Sequence, residues 1–141
     1  MALKLLKYHW RAVIWLSVIL FGCLSPEKES SEPNNWLSLM LSKLSSMFAK
    51  IPHYDKVAHF ILYFVFTLLL MSGFLRQYGV KSLRAYGYTF FIPLFTGIVI
   101  ELVQDRIGRS CSIYDVCANT VGIVVALMLF NPLKWMLRNI L

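Results

Sequence analysis

The stretch IELVQDRIGRSCSIYDVCAN, residues 100–119, connects two long apolar runs and carries five charged side chains. The runs on both sides are long enough to be membrane-crossing helices, since a crossing takes about 20 residues. A charge at the centre of such a helix costs about 2.5 to 3.5 kcal/mol, and a charge near its end costs less. The stretch is therefore predicted to join two spans and to hold polar side chains at one membrane face.

The composition of the whole 141-residue sequence is that of a membrane protein. Hydrophobic residues make up 58% of it and the mean hydropathy is +0.64, which is more apolar surface than a small soluble fold can bury. The net charge is +7, but the basic residues lie at the edges of the apolar runs without interleaved aromatic residues. They are interpreted as topology signals, and no nucleic-acid partner is expected.

Four apolar segments predict an all-α membrane protein, a compact bundle of four transmembrane helices within a single domain over residues 1–141. The spans are expected at about residues 8–24, 57–75, 85–104 and 113–130. The first segment also has the outline of a cleavable signal peptide, with Gly22 and Cys23 as a lipoprotein-type site. An uncleaved span is favoured, because Phe21 is bulky and no A-x-A pattern is present.

A polar linker after the first span leads to an amphipathic helix, expected at about residues 35–51. Its apolar residues recur at helical spacing, and serine and lysine fall mostly on the opposite side. Such a helix lies in the membrane interface or packs on the bundle, and both interpretations stay open.

The distribution of basic residues predicts the orientation of the bundle. Basic residues are concentrated in residues 4–11 and in the loop at residues 76–84, which places both segments in the cytoplasm. With four spans, both termini are then cytoplasmic. The second span begins, the third ends and the fourth begins at the outer face.

Each of these three spans has one polar stripe at its outer end. Residues at i, i+3 and i+4 share a helix face, and the polar residues of the second, third and fourth spans follow this spacing. Mutual pairing in an outward-facing pocket explains why three spans carry polar groups at the same face. The candidate ligand-binding residues are Asp55, Lys56, His59, Tyr63, Glu101, Gln104, Arg106, Arg109, Asp115 and Asn119.

Three further expectations concern this pocket and the packing around it. The carboxylates are expected to pair with Lys56, Arg106 and Arg109. Small residues, namely Gly97, Ala118 and Gly122, are expected to allow close helix approach. Pro93 is expected to kink the third span, with Thr89 one turn earlier binding backbone groups that the proline frees.

The segments DKVAHFILYFVFTLLL, IELVQDRIGR and SIYDVCANTVG resemble the VanZ-like family of bacterial membrane proteins. The family pattern runs D-K-x-x-H-F-x-x-Y, E-x-x-Q, R and D-x-x-x-N-x-x-G, and its elements occur here in order between Asp55 and about Leu127. The common Pro-Gly-Arg loop is replaced by residues 105–110, where Arg109 is the first match for the arginine and Arg106 the second. The resemblance implies a multi-pass protein of the bacterial cytoplasmic (inner) membrane, in a family whose founding member is linked to resistance to the glycopeptide teicoplanin.

The sequence leaves several functions open. In a binding protein the pocket holds a lipid-linked or peptidoglycan-related ligand, or membrane lipid, without changing it. In an enzyme acting on a phosphate-bearing lipid, the catalytic candidates are His59, Glu101 and Asp115, with no convincing nucleophile nearby. In a scaffold protein the polar residues of the pocket only hold the helices together. A transporter is disfavoured because four spans without a repeat are too few in one chain.

No metal or other cofactor is predicted. His59, Glu101 and Asp115 are conceivable zinc ligands, but dispersed ligands are a weak signal in a sequence. The three cysteines, Cys23, Cys111 and Cys117, have neither the number nor the spacing of a disulfide framework or a zinc ribbon. Whether any two of them form a disulfide stays open, as does the oligomeric state.

Overall fold

The computed structural model describes residues 2–24, 53–78, 83–107 and 112–136, and the side chains of residues 7–24, 53–78, 83–107 and 112–130. These residues form four helices: α1 (Ala2–Leu24), α2 (Tyr54–Tyr78), α3 (Leu83–Arg106) and α4 (Ile113–Met136). The prediction of an all-helical protein is confirmed for this part of the chain. The amphipathic helix predicted at residues 35–51 lies outside it.

Three helices are long and apolar enough to cross a membrane: α2, α3 and α4 from Ile113 to Phe130. The outer surface of α3 is apolar, with large exposed side chains that recur at helical spacing at Phe91, Phe95, Val99 and Leu102. Exposed apolar surface of this kind suits contact with lipid tails. The crossing of the membrane by α1 stays a prediction.

Local sequence signals explain where α2 and α4 begin. Asp55 lies in the first turn of α2, where its negative charge interacts favourably with the helix dipole. Ser112 precedes α4, and its hydroxyl oxygen accepts a hydrogen bond from the Tyr114 amide at 3.3 Å, as a residue at a helix N-cap does. These signals fix the first turns, which carry the polar residues discussed below.

Helix α2 is the centre of the bundle, since it packs against each of the other three helices and most extensively against α4. The core between the helices contains fully buried large side chains, among them Tyr63, Phe66, Met71, Ile123 and Phe130. Gly122 makes the closest approach: a Cβ atom built there would lie 2.5 Å from the carbonyl oxygen of Phe60 on α2. A small residue is therefore required where α4 crosses α2.

Helix α3 continues through Pro93, and Thr89 does not have the expected role beside it. A proline in a helix removes the hydrogen bond to the carbonyl four residues earlier, which is that of Thr89 itself. The Thr89 hydroxyl instead donates to the carbonyl oxygen of Ala85 at 2.7 Å. The expectation that it would bind a backbone group freed by Pro93 is wrong, because its hydroxyl reaches back to the preceding turn.

Side-chain hydrogen bonds attach helix α1 to α2 and α3. Trp15 Nε1 donates to the carbonyl oxygen of Leu62 at 2.9 Å, and His9 Nε2 lies 3.2 Å from Gln77 Oε1. At the C-terminal end of α1, Gln104 Nε2 donates to a backbone carbonyl at 2.8 Å. The end of α1, the start of α2, the end of α3 and the start of α4 therefore meet at one end of the bundle, the polar end.

Candidate functional site

Polar side chains from α2, α3 and α4 meet at the polar end and extend into the bundle. We call this group the polar cluster, and its members are Lys56, His59, Tyr63, Glu101, Asp115 and Asn119. Helical spacing accounts for the arrangement, because the members on α2 and on α4 follow one another at intervals of three or four residues and so share a face. Glu101, Asp115, Asn119 and Tyr63 are each less than 10% exposed.

Lys56 forms the outer part of the polar cluster. Its ammonium donates to Asp115 Oδ1 at 3.1 Å and also binds the carboxylate of the adjacent Asp55. The Asp115 side chain is 10% exposed, whereas that of Lys56 is 31% exposed. One lysine thus serves two carboxylates and joins the start of α2 to the start of α4.

His59 lies one turn deeper and faces both neighbouring helices. Its Nδ1 is 3.1 Å from Asn119 Oδ1 and 3.8 Å from Glu101 Oε1. The second carboxylate oxygen of Glu101 accepts a hydrogen bond from the backbone amide of Ser112 at 3.4 Å. Since the amide oxygen only accepts, a neutral His59 in this arrangement carries its proton on Nδ1.

Tyr63 lies one further helical turn, about 5.4 Å, deeper in the bundle than His59. Here the hydroxyl of Tyr63 and the Nδ2 of Asn119 are buried and have no hydrogen-bond partner among the described residues. Both border Gly97 on α3, where an added Cβ would lie 3.1 Å from Asn119 Nδ2 and 3.3 Å from the Tyr63 hydroxyl. The glycine therefore lets α3 pack closely against the two buried donors.

The remaining predicted site residues lie at or beyond the edge of the polar cluster. Gln104 is buried, and its amide donates to the carbonyl oxygen of Cys23 on α1, so it joins α3 to α1. Arg106 is exposed at the end of α3, and within the described ranges no ion pair connects it to a carboxylate. The expected pairing of Arg106 is thus not observed there, and Arg109 lies outside those ranges.

Two polar contacts were missed by the sequence interpretation. The backbone amide of Ser112 reaches Glu101, and His9 is buried at the opposite end of the bundle, where its ring packs 4.3 Å from that of Phe74. For His9 a signal exists in the sequence: Gly73 and Gln77 are four residues apart, so α2 offers it a small residue and an acceptor on one face. The Ser112 contact has no such signal, since any residue supplies a backbone amide.

The geometry gives the polar cluster two kinds of binding capacity. Side-chain ligand atoms of His59, Glu101 and Asp115 all lie within 4.8 Å of one another, an arrangement that suits a cation. The donors of Tyr63 and Asn119 suit an oxygen atom of a ligand. A histidine beside a buried carboxylate is also the arrangement of a general base.

Comparison with known proteins identifies one relationship. The sequence matches the model of a family described as VanZ/LLP1 over residues 10–137, which is nearly the whole chain. No curated protein and no solved structure matches it significantly.

Proposed function

The chain belongs to the VanZ/LLP1 family, and we propose that it is a cell-envelope membrane protein whose polar cluster binds an oxygen-rich headgroup. The ligand class is a lipid-linked or peptidoglycan-related precursor. In this proposal four spans cross the bacterial inner membrane, both termini are cytoplasmic and the polar end faces outward. Ligand binding there alters the response to glycopeptide antibiotics, as the resemblance of the sequence implies.

The observation that carries this proposal is the pair of buried donors beside Gly97. A buried donor without an acceptor costs about 1 to 3 kcal/mol, and Tyr63 and Asn119 each carry one among the described residues. A phosphate, carboxylate or sugar oxygen that reaches these two groups would accept from both, once the tightly packed side chains around Gly97 move to admit it. Ligand binding would then give both donors an acceptor and remove this cost.

The carboxylates do not prevent binding of such a headgroup, because several of their oxygens are already bound. Asp55 and Asp115 contact the ammonium of Lys56, and Glu101 accepts from the Ser112 amide. Exposed Arg106 adds a positive charge at the same end of α3, where it can attract anionic groups.

The headgroup can enter from the membrane surface. Exposure falls with depth, from 45% for the Asp55 side chain to 12% for that of His59 and 2% for that of Glu101. A ligand whose polar part enters at the polar end would keep its lipid tail against the apolar outer face of the helices. This geometry favours an amphiphile over a fully water-soluble ligand.

A catalytic function is the second candidate, favoured by the 3.8 Å separation between His59 Nδ1 and Glu101 Oε1. A carboxylate at this position orients the imidazole and stabilises its protonated form, which suits a general base. Formation of phosphate or another product from a lipid-linked precursor would support catalysis if Glu101→Gln abolishes it and Asp105→Asn retains it. Asp105 is a matched control because it is exposed in the same turn as Gln104.

The decisive experiment for binding replaces Tyr63 with phenylalanine. This change removes a hydroxyl that lacks a partner among the described residues, so the fold should lose nothing while the ligand loses a donor. Tyr86→Phe, on the opposite end of α3, is the matched control. Native mass spectrometry of protein purified in mild detergent should show a headgroup-bearing lipid with wild type and Tyr86→Phe, and much less of it with Tyr63→Phe.

Two results of this experiment would contradict the proposal. One is equal retention of the same lipid by Tyr63→Phe and wild type. The other is a wild-type protein that retains no lipid-linked molecule while Tyr63→Phe unfolds more easily, which would assign the polar cluster a purely structural role.

A further inference from the structure

We infer that His59, Glu101 and Asp115 form a binding site for a divalent metal ion of the Zn²⁺ or Mn²⁺ class. The three residues come from three different helices, so the ion would also fix how α2, α3 and α4 are arranged at the polar end. The role of the ion as a bridge to a headgroup oxygen rests on the proposed function. Metal binding itself does not depend on that function.

The distances are close to those of a metal site. Ligand atoms about 2.1 Å from a common zinc ion lie roughly 3.0 to 4.2 Å from one another, depending on coordination geometry. The ligand atoms of His59, Glu101 and Asp115 lie within 4.8 Å of one another, and His59 Nδ1 and Glu101 Oε1 are 3.8 Å apart. Rotations of the side chains that move these atoms by less than about 1 Å complete the geometry.

The donor set selects the class of metal. One imidazole nitrogen with two carboxylates suits Zn²⁺ or Mn²⁺, whereas Mg²⁺ and Ca²⁺ prefer oxygen ligands alone. In the metal-free arrangement the proton on His59 Nδ1 is donated to Asn119 Oδ1 at 3.1 Å, so metal binding at Nδ1 requires the neutral ring to carry its proton on Nε2. Asn119 Oδ1 is then a fourth possible donor on the same side. The group of ligand atoms contains no cysteine sulfur: the thiol of Cys117 is exposed, and Cys23 lies on α1 at the same end of the bundle but is not a member of the group.

The charges around the three ligands favour a cation. Among the described residues, Asp55, Glu101 and Asp115 bring three carboxylates to the polar end, and Lys56 is shared between two of them. Glu101 is 2% exposed and Asp115 7%, so water screens the charge of either carboxylate poorly. A divalent ion bound between them would therefore interact strongly with both carboxylates.

The two buried donors provide independent support. Asn119 and Tyr63 are 2% and 0% exposed, and Asn119 Nδ2 and the Tyr63 hydroxyl lack hydrogen-bond partners among the described residues. Asn119 contacts the ligand His59 through its amide oxygen, and its Nδ2 borders Gly97 together with the Tyr63 hydroxyl. Donors close to a metal ligand can hold an oxygen atom bound to the ion, as outer-shell groups do in known metal sites.

The test uses the full chain without a histidine tag, purified in detergent, treated with chelator and titrated with Zn²⁺ in an isothermal calorimeter. Wild type should bind one equivalent, and Glu101→Gln and His59→Asn should each weaken binding by more than about tenfold. Asp105→Asn and His53→Asn are matched controls that remove a carboxylate and an imidazole from exposed positions. Asparagine suits position 53, where φ is 57°, because it tolerates the left-handed region.

A second readout guards against variants that fail to fold. The size-exclusion profiles of all variants must match that of wild type. Zn²⁺ should raise the unfolding temperature of wild type and of both controls but not that of Glu101→Gln. Wild type without stoichiometric Zn²⁺ or Mn²⁺ binding overturns the inference, as does unchanged affinity in both Glu101→Gln and His59→Asn.

Lipid analysis of the same samples separates this inference from the proposed function. A headgroup retained by protein that binds neither metal overturns the metal site and leaves the proposed function standing. Zn²⁺ binding that Glu101→Gln abolishes, in protein that retains no headgroup, supports the metal site and contradicts the proposed function. Retention that rises when Zn²⁺ is added supports both.

Discussion

Replacing Gly122 with alanine is expected to push α4 away from α2. The added Cβ would lie 2.5 Å from the carbonyl oxygen of Phe60 and 3.2 Å from the backbone nitrogen of Phe64. Both are backbone atoms of α2, so rotation of a side chain cannot relieve the contact. Real Cβ contacts essentially never fall below 3.0 Å, and the two helices must therefore separate locally by at least the 0.5 Å that is missing.

The expected loss of stability follows from this clash. Overpacking a well-packed interface costs about 1 to 3 kcal/mol, and exchanging glycine for alanine inside a helix gains up to about 1 kcal/mol. Gly87→Ala is the matched control, because its Cβ meets nothing within 4 Å and it shares the gain in helix propensity. Gly122→Ala should therefore be less stable than Gly87→Ala by about 1 to 3 kcal/mol.

The free energy of unfolding can be measured by titrating sodium dodecyl sulfate into mixed micelles and following tryptophan fluorescence. Two polar contacts, Lys56 with Asp115 and His59 with Asn119, join α2 to α4, so Gly122→Ala should also retain less headgroup-bearing lipid than Gly87→Ala. Equal free energies of unfolding for the two variants would refute the close approach of α4 to α2.

Three other substitutions test separate parts of the structure. Gly97→Ala brings a methyl group within 3.1 Å of Asn119 Nδ2 and 3.3 Å of Tyr63, and these side chains need to move by only a few tenths of an ångström. Lipid retention should therefore fall in native mass spectrometry while stability changes little. Lys56→Met should lower the midpoint of detergent unfolding because it leaves Asp115 with an uncompensated charge. Adding Asp115→Asn to this variant should restore part of the lost stability. Additive effects of the two substitutions would contradict the ion pair. Gln104→Leu removes the hydrogen bond to α1 and should cost about 1 kcal/mol in the same titration, whereas an unchanged value would contradict that contact.

Much of the architecture could be predicted from the sequence, because the length of the apolar runs and the positions of the charged residues are strong local signals. The apolar runs between Val57 and Phe130, interrupted twice by polar residues, correspond to α2, α3 and α4. Helical spacing places His59 and Tyr63 on one face, and alternating helix direction brings that face to Glu101 and Asp115. The family assignment rests on these same residues, and the match over residues 10–137 confirms it.

Other features depend on contacts that the sequence does not encode locally. Gln104 was predicted beside the pocket, but its amide binds the carbonyl of Cys23, an acceptor that any residue at the end of α1 would offer. Arg106 was expected to pair with a carboxylate and is exposed instead, because Lys56 already binds Asp115 from the neighbouring helix. Long-range geometry decides which of several nearby cations reaches a buried carboxylate, and helical periodicity carries no information on it.

Polar groups from separate helices meet inside the bundle, and the separation of His59 and Glu101 is a direct measure of this contact. Solid-state NMR of the protein in lipid bilayers can measure dipolar coupling between ¹⁵Nδ1 of His59 and the ¹³C side-chain carboxyl of Glu101, with His59→Asn to assign the signal. We expect a measurable coupling, because this carbon is bonded to an oxygen atom that lies 3.8 Å from Nδ1, and we expect the coupling to be lost in the variant. The absence of a coupling in the wild-type protein would show that His59 and Glu101 do not meet inside the bundle.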